Sequence, residues 1–396
     1  MTLAIRPAER MERIPFSGIR RISEAAARLE AQGRDVVHLT IGRPDFDTPA
    51  HIKAAAKAAL DAGQVHYTSN YGLTELRRAI ASKLAADNGL DYDVAEVLVV
   101  HGASQAIAVA VQGFLGPGDE LLVPSPAYLN YFHVATMAGA AAVPVPLRRE
   151  NDYQLDPQDV LDRVTPRTRM LVVTSPHNPT GAVCPPEALR RLAEIAVERE
   201  LLVLSDEIYE KLVYDGQEHA SIAGFPGMRE RTFTINGFAK AYSMTGWRIG
   251  YVAAPEPLID VMVRLVQYTT VCPTSFAQAG AVAALVGPQE PVAEMRAEFD
   301  RRRRLVQERL AAMPGVGTAR LLGAFYAFPE VRSFGLDDEE LADRLLAEAA
   351  VAVVPGSAFG EGGAGHLRLS YATEYGRLSK GLDRLAEGLS RIGGRS

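Results

Sequence analysis

The apolar positions fall into helix-spaced and strand-like runs that alternate along most of the chain. Residues 17 to 33 carry Ile19, Ile22, Ala26 and Leu29 on one face and end at Gly33, which predicts an amphipathic helix with a glycine stop. The run VVHLTIGRPDF predicts a short strand entering a Gly-Pro turn, and Thr48-Pro49 supplies the start signals of a second helix that runs to Gly63. Beyond it the runs EVLVVHG, ELLVP, AAVPVP, RMLVVTSP, LLVLSDE, TFTING and RIGYVAA alternate with helical patterns over 103 to 114, near 128 to 138 and over 186 to 199. This alternation predicts an α/β fold with a mostly parallel sheet. In such sheets binding groups collect just beyond the carboxyl ends of the strands. Polar motifs stand at those points: GASQA after EVLVVH, SPAY after ELLVP, SPHNPTG after MLVVT and SDEIY after LLVL.

After about residue 288 the texture changes to a long charged helix (290 to 313), two short strands near 318 to 329, a helix at 338 to 349, strands at 351 to 354 and 366 to 371, and a closing helix. The expected organisation is an N-terminal segment, 1–47, joining a small α+β domain at 289–396, with a large domain over 48–288 between them.

With 396 residues, 47% of them hydrophobic, the chain can build about two or three domain-sized cores, or one large domain with a smaller companion. The net charge of −6 comes from interspersed acids and bases, so no field favours nucleic acid or an anionic membrane. The one basic run, RRRR at 301 to 304, lies in a helical, Glu-containing stretch and reads as a solvated helix face. Cys184 and Cys272 are too few for a disulfide framework and lack metal-ligand spacing, so a cytoplasmic protein without a metal site is expected. No stretch of about 18 apolar residues occurs, so neither a signal peptide nor a transmembrane helix is expected.

Residues 205 to 250 hold an acid, a phenol, an amine and a guanidinium in the order that a pyridoxal-phosphate (PLP) site would use them. Such a site needs a lysine for the Schiff base, a group that keeps the pyridine nitrogen protonated, a phosphate cup and a flat contact on the ring. Lys240 has apolar flanks, and Arg248 stands eight positions on; desolvation and a nearby cation both favour its neutral, nucleophilic form. A lone lysine of this kind is otherwise a surface residue. Asp206 ends an apolar strand and suits a pyridinium partner, or else caps the segment after it. Tyr209, and Asn178 from HNPTG, could both reach the ring's phenolic oxygen, although Asn-Pro is also a plain turn signal. Gly102, Ala103, Ser104 and Gln105 lie where a strand turns into a helix, so free amides and the helix dipole face an anion there, and Arg248 could add a bidentate clamp. Tyr128 could stack on the ring or serve as core. Arg368, between Leu367 and Leu369, points opposite to them, either into an interdomain cleft, to hold a carboxylate, or into solvent.

Taken together, SGIRRI, IGRPDFDTP, YTSNYGLTELR, HGASQA, SPHNPTGAV, SDEIYE, FAKAYSMTGWRIGY, VVPGSAFG and RLSYA, in this order over nearly the whole chain, resemble the class I and II aminotransferases of PLP fold type I. The resemblance implies a large domain with a seven-stranded-type, mostly parallel sheet flanked by helices, and a smaller α+β domain. It implies that Lys240 carries the Schiff base and shuttles the substrate Cα proton, and that Asp206, Tyr209 and Asn178 contact the ring with Tyr128 stacked on it. It further implies that Ala103, Ser104, Gln105 and Arg248 hold the phosphate, and that Arg368, assisted by the backbone of Gly42, holds the α-carboxylate. Tyr67 matches a tyrosine that reaches the neighbouring subunit's phosphate, which implies a homodimer with shared sites. The chain departs from the family pattern at Gly237, where many relatives carry a phosphate-contacting serine, and at Arg43, where Glu, Gln or a small residue is usual. It departs again at Ser104, where an aspartate-using bacterial subgroup has lysine, which implies a weaker preference for dicarboxylates. The expected activity is amino-group transfer from an L-amino acid to a 2-oxo acid. An eliminase or cyclase on the same scaffold is the alternative, because the cofactor motifs do not separate them. A ligand sensor fused to a DNA-binding module is not expected, since the chain starts at the family's first helix.

Overall fold

A computed structural model describes residues 6–394 of the chain. Strand β1 (Val37–His38) comes first, followed by the strands of the main sheet: β2 (Val97–Val100), β3 (Glu120–Ser125), β4 (Ala141–Pro146), β5 (Thr168–Thr174), β6 (Leu202–Asp206), β7 (Thr232–Gly237) and β8 (Gly250–Ala253). Their spatial order is β2-β8-β7-β6-β5-β3-β4. Strands β3 to β7 pair in parallel, and β8 runs antiparallel to both of its neighbours, giving the mixed, mostly parallel sheet that the sequence predicts. Leu121 and Val123 pack on one face with the helices Ala103–Phe114, Asn130–Ala138 and Glu256–Thr269, while Leu122 packs on the other with Pro186–Glu198. Burial on both faces is why these strands read as continuous apolar runs. Because β8 is reversed, its first residue lies at the same edge of the sheet as the last residues of β2 and β7. Segments leaving β2, β3, β5, β6 and β7 and the segment entering β8 therefore converge on one rim.

Smaller sheets complete the chain. Strands β9 (Tyr326–Ala327), β10 (Val351–Ala352), β11 (Val354–Pro355) and β12 (Leu367–Ser370) follow, with β11-β12-β9 antiparallel and β10 parallel to β1. Ile22 and Ala26 of the helix Gly18–Ala31 share a core with Phe299 of the helix Glu290–Ala311, Leu345 of Asp338–Ala349 and Leu382 of Tyr375–Gly393.

Two expectations are corrected. Of the strands predicted near 318 to 329, only β9 forms, because the preceding backbone bonds to loops instead of a ladder. Leu322 and Gly323 donate to Gly181 O (3.1 and 2.9 Å), and Ala324 donates to Leu212 O (2.8 Å). The four arginines at 301 to 304 are not a solvated face either. Arg302 and Arg303 are buried, the first on Asp45 (2.7 Å) and Glu298 (2.9 Å), the second on Asp215 (2.6 Å) and Asp300 (2.7 Å), while Arg301 and Arg304 stay exposed. The helix Ser275–Val286 was not announced by the sequence pattern, because SFAQAGAVAALV is apolar on nearly every side and shows no polar face to set a period.

Candidate active site

A cleft of about 410 Å3 opens at the convergent rim of the main sheet. Among the residues singled out from the sequence, Lys240, Asp206, Tyr209, Asn178 and Tyr128 line it, with Ala103, Ser104 and Arg248 at one end and Gly42 and Arg368 at the other. Gln105 does not line it. Its Oε1 accepts from the His101 amide (2.7 Å) and its Nε2 donates to Thr270 (2.8 Å), so the side chain braces the loop from behind. Tyr67 does not line this cleft and is 86% exposed.

The amine of Lys240 donates to Gly42 O (2.6 Å) and lies 5.5 Å from the Tyr209 ring centre and 5.7 Å from that of Phe325. Burial pushes its pKa down to about 8, helped by the charge of Arg368 and then of Arg248, against the opposing pull of Asp206. Asp206 is 4% exposed at the end of β6, and burial raises its carboxyl pKa. Opposing that rise, Tyr131 OH donates to its Oδ2 (2.7 Å) and the Ile208 amide donates to its Oδ1 (3.2 Å). Tyr131 thus belongs to the site although the sequence reading did not select it. The signal available was its position three residues after Tyr128, in the turn that leads into the helix Asn130–Ala138. Tyr326 was missed as well; its hydroxyl lies 2.8 Å from that of Tyr209.

At the phosphate end, Gly102 has φ +79, and the amides of Ala103 and Ser104 open the helix Ala103–Phe114 with no acceptor among the described residues. A Cβ on Gly102 would lie 2.6 Å from Arg248 Nη2, and one on Gly250 would lie 2.8 Å from the Ala103 amide, so only glycine lets these segments approach. Arg248 itself is anchored by Thr245 O (3.0 Å) and His101 O (3.2 Å). Gly237 has the same kind of cause: a Cβ there would lie 2.9 Å from the Gly250 Cα. A serine at that position would not fit this strand pair.

At the opposite end, Arg368 is 2% exposed on β12, between the rings of Tyr326 (4.8 Å) and Phe359 (4.9 Å), with one amine on Thr40 O. No carboxylate pairs with it among the described residues, and its Nε has no partner. A buried guanidinium without an acid is costly unless a ligand supplies one. Asn178 Oδ1 is likewise buried at the cleft with no partner among the described residues. PLP with an amino acid would satisfy these groups together: two free amides for a phosphate, a buried carboxylate for a ring nitrogen, a lone guanidinium for a carboxylate, and a neutralisable amine between them. The residues present fit the cofactor.

Behind β6, Glu207, Glu210 and His219 bring possible ligand atoms within 4.8 Å of one another. The carboxylates are already engaged, Glu210 by Lys83 and Asn88 (2.8 Å) and Glu207 by Ser205 (2.8 Å), Ser221 (2.6 Å) and His219 Nε2 (2.9 Å), and among the described residues His219 Nδ1 is buried without a partner. Among the described residues no helix is long and apolar enough to cross a membrane.

Known proteins agree with this geometry. A family profile described as "Aminotransferase class I and II" matches residues 34–385. The chain is 45% identical to an aspartate aminotransferase of Pyrococcus abyssi and 44% identical to an aromatic-amino-acid aminotransferase of Thermococcus litoralis, each over 96% of this chain and 97% of the relative. It superposes on the aspartate aminotransferase of Thermus thermophilus with maleate at a TM-score of 0.93 and 41% identity, covering 97% of this chain and all of that one. With its sheet order, its cleft and these relatives in agreement, the chain belongs to the class I and II aminotransferases, PLP-dependent enzymes that move an amino group between an amino acid and a 2-oxo acid.

Proposed function

We propose that the transfer runs in this cleft, with Lys240 as the base and covalent anchor and Arg368 as the clamp on the substrate α-carboxylate. The observation that carries this reading is the pairing, in one cleft, of an amine whose pKa is about 8 with a buried arginine that has no acid of its own. Arg368 offers a planar fork for bidentate contact with the carboxylate, which orients the amino acid with its Cα toward Lys240. Lys240 Nζ, held by Gly42 O until it is released, takes the proton from Cα as a general base; its lowered pKa keeps a useful fraction neutral near physiological pH. PLP, when bound, supplies an electron-accepting ring for the pair left at Cα and stores the amino group between half-reactions. The free amides of Ala103 and Ser104 with Arg248 would hold its phosphate, Asp206 its ring nitrogen, Tyr209 and Asn178 its phenolic oxygen, and Tyr128 its face. Gln105 would support the phosphate loop through His101.

We read residues 48–288 as the cofactor-holding domain and 1–47 with 289–396 as the smaller one, a division supported by the pairing of β1 with β10. Tyr67, exposed and outside its own cleft, supports a homodimer in which it completes the neighbour's site. The reading includes a cytoplasmic protein, with an amino donor among the acidic or aromatic amino acids named for its relatives. Lys240→Ala tests the assignment. The variant should lose the absorbance of lysine-bound PLP and nearly all turnover; retained activity would refute the role.

A further inference from the structure

We infer that Arg43 is a specificity residue that binds the distal carboxylate of an acidic substrate, favouring aspartate or glutamate and their 2-oxo acids over amino acids with uncharged side chains. This deepens the proposed function and rests on it. The other cations of the cleft are held by the protein: Lys240 by Gly42 O, Arg248 by Thr245 O and His101 O, and Arg368 by Thr40 O. Arg43 is exposed where the cleft adjoins a neighbouring hollow that it lines as well, and it has no hydrogen bond, ion pair or ring contact among the described residues. The acids nearest to it in the chain are taken, Asp45 by Arg302 (2.7 Å) and Asp47 by Lys53.

Position gives this free charge its meaning. The segment from Thr40 to Gly42 passes between Arg368 and Lys240, touching the first through the Thr40 carbonyl and the second through the Gly42 carbonyl. The next residue, Arg43, therefore stands beside the place where a substrate has its α-carboxylate on Arg368 and its Cα at Lys240. Once Asp206 faces the ring nitrogen, Arg248 the phosphate and Arg368 the α-carboxylate, Arg43 is the cation lining the cleft that has no counter-ion among the described residues. A second carboxylate on the substrate supplies one. This assigns the recognition of acidic side chains to a residue other than Ser104, whose hydroxyl carries no charge. Ile19 and Ile41 line the same cleft and would receive an apolar side chain instead, so the charge of Arg43 decides between the two classes.

The test is the kcat/KM for aspartate divided by that for phenylalanine, measured on PLP-loaded parent, Arg43→Gln and Arg43→Lys enzymes. The ratio does not depend on the fraction of folded enzyme, so a poorly folding variant does not imitate the effect. It should fall about ten-fold or more in Arg43→Gln, a difference of about 1.4 kcal/mol, and recover in large part in Arg43→Lys. Added salt should lower it in the parent and not in Arg43→Gln. A ratio unchanged in Arg43→Gln overturns the inference, as does a parent enzyme that uses phenylalanine and not aspartate. A parent that turns over no amino acid defeats the function reading beneath it.

Discussion

Lys240 begins with a pKa of 10.5 as a free side chain and reaches about 8 in the cleft. Its neutral form is the nucleophile, so the sign is plain: covalent capture of PLP by the apoenzyme should accelerate about ten-fold per pH unit below 8 and level off above it. Stopped-flow absorbance from pH 6 to 10 checks this, and a rate still climbing at pH 10 would contradict the burial of the amine. At Asp206 the opposing effects are burial, which raises the pKa, and the Tyr131 hydroxyl, which lowers it. Tyr131→Phe removes the hydroxyl alone and should weaken PLP binding by about ten-fold or more, since a hydrogen bond to a charged group contributes about 1.5–3 kcal/mol. Equilibrium titration of the apo variant with PLP gives the value; an unaltered affinity would detach Tyr131 from the site.

At the scale of elements, the phosphate loop depends on how closely β8 approaches the start of the helix Ala103–Phe114. Gly250 is the contact, because a Cβ there would lie 2.8 Å from Gly102 backbone atoms as well as from the Ala103 amide. Gly250→Ala should therefore shift the loop, costing about 1–3 kcal/mol of overpacking and weakening PLP affinity with it. Denaturant unfolding of the apoenzyme and PLP titration measure the two effects separately. Arg303 ties its helix to the loop at Asp215 and to Leu321 O (2.8 Å), beneath the ring of Tyr214 (5.1 Å). Half of the Asp215 side chain is exposed and can be resolvated, so Arg303→Ala should cost about 2 kcal/mol, less than the loss of a fully buried pair.

For the whole molecule, the homodimer proposed from Tyr67 should bury part of the exposed apolar side chains Val65 (56%), Tyr67 (86%) and Tyr268 (84%). Sedimentation should give a dimer, and Tyr67→Phe should weaken PLP binding without dissociating it; a monomer with full activity would contradict shared sites.

Much of this was legible in the chain itself. Strand runs buried on both faces are apolar along their length, and the groups at their ends are polar because they face a cleft, so LLVLSD, MLVVTSPHNP and FAK could be read as strand ends with chemistry beyond them. Asp206, Asn178, Tyr128, Ala103 and Ser104 could be selected in that way, Lys240, Tyr209, Arg248 and Arg368 by the chemistry of their neighbours, and Gly42 only by the family resemblance; all of them line one cleft. What the order of residues could not carry was direction and partnership. Tyr131 turns inward to Asp206, Arg302 and Arg303 turn inward from a run that reads as solvated, and Gln105 turns away from the cleft. Each of these is decided by which side chain lies opposite after the layers pack, a contact between residues up to hundreds of positions apart. The local pattern specifies elements and their polarity, because those follow from backbone geometry and burial; the pairing of charges across the cleft exists only once the chain has closed around it.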